Sequence, residues 1–100
     1  MENTKNEVYV GQLATGRYVS DCYPFEVIEV SPSGKTIKIR EMNAEPAEGY
    51  DYFGNQVYNY TSNPNGSVRT VRLCKYGWKE LKGTMKVSLG NARKYQDPHF

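Results

Sequence analysis

The sequence predicts an all-β domain, a small antiparallel barrel or strongly bent sheet of six to seven short strands. Three observations carry that expectation. Turn signals built from Gly, Pro, Asn and Ser recur at close intervals, the stretches between them are rich in β-branched and aromatic residues, and several alternate with a period of two. One hundred residues make a single domain, 1–100, with one core. Rolling hairpin-linked strands into a barrel removes most exposed edges.

Val8 to Gln12 reads as a first strand, ending at a turn over Ala14-Thr15-Gly16, with Arg17 to Ser20 extending it or opening the next. Phe25 to Val30 is apolar enough to be central, and Ser31-Pro32-Ser33-Gly34 has the fixed φ and permissive glycine of a tight hairpin. In Thr36 to Glu41, Ile37 and Ile39 alternate with Lys38 and Arg40, so one face is buried and the other wet. Residues 42–55 then read as a long acidic loop, with Pro46, Gly49 and Gly54 among Glu45, Glu48 and Asp51.

Strand resumes over Gln56 to Ser62, where Tyr58 and Tyr60 share a face, and Asn63-Pro64-Asn65-Gly66 reads as a hairpin onto Ser67 to Lys75. There Val71 and Leu73 point to the core while Arg72 and Cys74 point away. Tyr76-Gly77 reverses the chain into Trp78 to Leu81, and Lys82-Gly83 leads to the alternating Met85-Lys86-Val87-Ser88-Leu89. The tail, Asn91 to Phe100, either makes one short C-terminal helical turn or lies extended over the barrel, held straight by Pro98 and pinned by His99 and Phe100.

Charge is divided along the chain. Residues 67–100 hold eight Lys/Arg against two Asp/Glu, a net +6, whereas residues 1–66 hold five against nine, a net −4, so the overall +2 hides an asymmetry. A positive face beside many tyrosines suits a ligand that bears phosphates and rings, since cations meet phosphates and aromatic faces stack on bases. The candidate ligand-binding residues are Arg17, Arg72 and Arg93 for phosphate, with Tyr23, Tyr58, Tyr60 and Tyr95 for rings. Arg93-Lys94-Tyr95 is the best small cluster. Ordinary solvated surface is the competing reading for the cations, and core packing is the competing reading for Tyr58 and Tyr60. Tyr50, Tyr52 and Phe53, in the acidic loop, suggest a partner interface or lid.

Other chemistry finds little support. Ser33-Gly34-Lys35-Thr36 resembles the end of a phosphate-binding loop, but Glu29 occupies the position of the required upstream glycine and no helix is expected to follow. A single histidine and scattered carboxylates give no metal or acid–base site, so neither a cofactor nor catalysis is expected. Cys22 and Cys74 lie in separate strand segments and are expected as small buried thiols. The polar opening Met1 to Glu7 predicts no secretory leader, and together with two unpaired cysteines suggests a reducing cytoplasm. No apolar run approaches the roughly 20 residues of a membrane helix. Small size favours a homo-oligomer.

The segments Ser20-Asp21-Cys22-Tyr23-Pro24, Ser31-Pro32-Ser33-Gly34-Lys35-Thr36, Asn63-Pro64-Asn65-Gly66, Gly77-Trp78 and Asp97-Pro98-His99-Phe100 occur in an order that resembles a group of small phage and prophage proteins. The resemblance spans nearly the whole chain and carries no residue roles. It implies a counter-defence setting inside a bacterial host, by sequestration of a cyclic or linear nucleotide signal or by occlusion of a defence enzyme. A non-enzymatic binding protein that acts by sequestration or occlusion, with a nucleotide-like ligand as the sharper version, is therefore the leading expectation. A small-barrel nucleic-acid-binding protein and a protein-interaction module are the alternatives.

Overall fold

The computed structural model describes residues 8–98. They form eight strands and no helix: β1 (Leu13–Arg17), β2 (Cys22–Val30), β3 (Thr36–Glu41), β4 (Asn43–Pro46), β5 (Tyr58–Thr61), β6 (Val68–Cys74), β7 (Gly77–Glu80) and β8 (Lys86–Leu89). Six of them close into an antiparallel barrel in the order β1-β2-β3-β6-β7-β8, with β8 returning to pair with β1. The other two, β4 and β5, make a separate hairpin inserted between β3 and β6. The predicted fold class is the one observed. Among the described residues no helix is long and apolar enough to cross a membrane.

Period-two alternation builds the core. Ala14, Phe25, Val27, Ile37, Ile39, Val71, Met85 and Val87 form one buried cluster inside the barrel. Between Val27 and Glu29 the β2–β3 register shifts by one residue, a bulge that adds the bend and twist a six-stranded closure needs. Pro24 lies one residue past the last β2–β3 pair, Phe25 with Glu41, where its carbonyl still accepts the Met42 N–H at 3.0 Å and only the bond its absent N–H would have made is missing.

Several sequence expectations are corrected. The first strand is not 8–12 but β1, and Ala14-Thr15-Gly16 is its centre, not a turn. Gly16 is there for packing: a Cβ would strike the Met85 sulfur and the Phe25 ring. The chain reverses instead at residues 18–21, where the Tyr18 N–H donates to the Asp21 carbonyl at 3.0 Å. Residues 42–55 are not loop throughout, since Met42 is buried and β4 follows it. The Asn63–Gly66 turn forms, with the Gly66 N–H on the Asn63 carbonyl at 3.0 Å, but β5 pairs with β4 and not with β6.

Leu73 shares the side of Val71 yet is 42% exposed, because it lies beyond the buried layer at the end of the barrel. Cys22 is buried as expected and Cys74 is exposed. The tail is extended, not helical, and joins β2 through a bridge between Cys22 and Tyr95. The expected anchors His99 and Phe100 lie outside the described residues.

Candidate functional site

Barrel closure decides which cations meet. Around the barrel, β1, β8, β7 and β6 are consecutive, and their pairing sets Arg17 opposite Lys86, Lys86 opposite Lys79, and Lys79 opposite Arg72. All four are exposed, so they form a single outward row across four strands. Beyond Arg72 the row meets the uncharged Thr36 of β3. Ion pairs among the described residues engage Lys38, Arg40 and Arg69, and none of the row. Directly opposed like charges weaken a sheet, and among the described residues no carboxylate pairs with the row to relieve the repulsion.

The next outward positions along these strands, Cys74, Gly77 and Ser88, are small. A concavity of about 510 Å³ results, and the cations Arg17, Lys79 and Lys86 line it with Tyr76 and Trp78 but no acidic residue. Tyr76 tips the two-residue β6–β7 turn and is 92% exposed, with Lys75 Nζ 5.7 Å from its ring centre. Trp78 is partly buried against the core and supplies the apolar wall. Arg17 is held in place: its Nε donates to Ser88 Oγ at 3.4 Å and its Nη1 to Cys22 Sγ at 3.7 Å. Cations attract anions and an exposed ring can stack on another, and no acid in the lining opposes either.

Arg93, Tyr95, Tyr58 and Tyr60 are brought together around the tail. The tail runs between the barrel and the β4–β5 hairpin as a strap. The Lys94 N–H donates to Tyr60 Oη at 2.7 Å, the Gln96 N–H donates to Gln56 Oε1 at 2.9 Å, and Gln56 Nε2 donates to the Gln96 carbonyl at 2.7 Å. Arg93 lies 5.6 Å from the Tyr95 ring centre and Lys94 Nζ 5.5 Å from that of Tyr58. Tyr58 donates to Tyr50 Oη at 3.4 Å, and burial, followed by that hydrogen bond, pushes its phenol up to about 12. Most of this tyrosine face is already occupied by the tail.

Tyr23 is elsewhere again. It lines a concavity of about 200 Å³ at a barrel mouth with Tyr18, Phe25, Glu41, Arg69 and Met85, and packs edge-on against Tyr18 at 5.8 Å. Arg69 there donates to Tyr18 Oη at 3.3 Å and to the neutralising Glu80 at 2.8 Å, contacts that in that order raise its affinity for its proton. Among the described residues no three of His, Cys, Asp and Glu converge as a metal site would require.

Comparison with protein-family models, curated proteins and solved structures finds no match. Function therefore has to be read from the geometry. Of the predicted ligand set, Arg17 and Arg72 fall in one row, while Tyr23, Tyr58, Tyr60, Arg93 and Tyr95 lie in two other places. Sequence reasoning assigned Lys79, Lys86, Tyr76 and Trp78 no ligand role. Lys79 and Lys86 share outward parity in β7 and β8, whereas Tyr76 tips the turn and Trp78 packs toward the core, and only the β1–β8 seam shows that they neighbour Arg17.

Proposed function

We propose that this is a non-enzymatic binding protein that holds a phosphate-bearing, ring-bearing ligand of nucleotide chemistry in the groove beneath Tyr76. The unpaired cation row beside an exposed aromatic ring carries the reading. Arg17, already oriented by Ser88, presents its guanidinium fork to a phosphate, while Lys86 and Lys79 add point charges. Tyr76 and Trp78 supply faces for the ring. The resemblance to phage proteins supports sequestration of a host signal as the use of such binding.

Thermal melting against a panel of linear and cyclic nucleotides tests the proposal. A ligand at 100 times its Kd stabilises by about 2.7 kcal/mol, or about 10–20 °C for a domain of this size. The shift should vanish in R17E, and ligand released by denaturation should be chemically unchanged. A panel without any shift, or one whose shift survives R17E, removes the groove as the site.

A further inference from the structure

The groove ends before the cation row does. Arg17, Lys86 and Lys79 line it, whereas Arg72, the next residue in the same row, lies outside its lining. Neighbouring strands are about 4.8 Å apart, so the row spans about 14 Å at the backbone. A phosphate held at the Arg17 end of the row stands about 14 Å, at the backbone, from Arg72 at the other end. Arg72 is nevertheless exposed, makes no ion pair among the described residues, and stands directly opposite another cation.

We propose that the row is a track for successive phosphates, and that the ligand is a single strand of nucleic acid laid around the barrel across β1, β8, β7 and β6. This rests on the groove reading above and names its ligand class. A flexible strand can follow a convex arc of charge, which a stiff duplex cannot do over so small a body. Tyr76 adds a stacking platform at the edge of the track, the combination of basic path and exposed ring by which single strands are held without sequence preference. Its neighbours Cys74, Gly77 and Ser88 are small enough to leave room for the base beside the cations.

The test uses fluorescence anisotropy with a labelled oligothymidylate of about twelve nucleotides, competed by thymidine monophosphate, between about 50 and 200 mM salt. Three to four phosphate contacts predict a slope of log affinity against log salt of about −2 to −3, and oligonucleotide binding well above that of the mononucleotide. R72Q should lower oligonucleotide affinity several-fold and flatten the slope by about 0.7, with competition by the mononucleotide unchanged; R72K should keep the slope. Equal affinity for both probes, or an R72Q protein that binds the oligonucleotide as the parent does, overturns the strand and leaves the groove standing. No oligonucleotide binding at the lowest salt also overturns the strand, and the nucleotide panel then decides the groove separately.

Discussion

Lys79 and Lys86 face each other across the β7–β8 pair, and no carboxylate among the described residues pairs with either. Elsewhere the same barrel matches its charges: Lys38 with Glu29 at 4.0 Å, Arg40 with Glu26 at 3.5 Å, and Arg69 with Glu80 at 2.8 Å. The contrast separates a neutralised part of the barrel from one kept positive at some cost in stability.

K86E should therefore act in opposite directions on stability and binding. It converts a repulsive cross-strand pair into an attractive one, which predicts a gain of about 0.2–1 kcal/mol without ligand. Binding of a phosphate-bearing ligand should fall by about 1.5–3 kcal/mol. Chemical denaturation and titration on the same preparation measure both, and parallel losses would mean that Lys86 serves the fold instead.

I39A should cost about 2–4 kcal/mol, because Ile39 is fully buried at the centre of the barrel. L73A should cost less than about 1 kcal/mol, since Leu73 is already 42% exposed. Urea midpoints would show the gap, and equal losses would place Leu73 within the packed layer.

Q56A removes the hydrogen bonds that Gln56 makes to Gln96 and to the Tyr52 carbonyl. A local loss of about 1–2 kcal/mol should speed hydrogen exchange at the Lys94 and Gln96 amides by about 5–30-fold. The Ile37 and Ile39 amides should be unaffected. Uniform acceleration would show that the strap and barrel open together.

Tyr58 predicts an alkaline limit. Folding raises its phenol from the ordinary value of 10.0 to about 12, so the folded state keeps a proton that the unfolded chain gives up first. Its contribution is complete below pH 10 and is lost as pH rises through about 12. Y58F should flatten stability across that window, which phenolate absorbance and denaturation can follow together.

The fold was readable where alternation coincides with depth. Ile37, Ile39, Met85 and Val87 alternate and are buried at 1%, 0%, 0% and 6% exposure. Leu73 alternates equally well, but parity gives direction without telling how far along the barrel the packed layer extends. Gly16 looked like a turn because a glycine needed for close packing and one needed for a reversal are the same letter. Asn63–Gly66 is a true turn, and nothing local distinguishes a strand that pairs ahead from one, like β5, that pairs back to β4. The cation row was hidden for a related reason: Arg17 and Lys86 are 69 positions apart and meet only through long-range register.

That separation also sets when the binding face comes into being. At about 5–20 residues per second, a ribosome delivers Lys86 roughly 3–14 s after Arg17. Until β8 arrives, β1 has one bare edge and the barrel is an open, curling sheet. Two members of the row, Lys79 and Arg72, can pair early through the short β6–β7 hairpin, but Arg17 joins them only at closure. An unfinished nascent chain has most of these charges without the surface, so the proposed groove does not exist until synthesis has passed the last barrel strand.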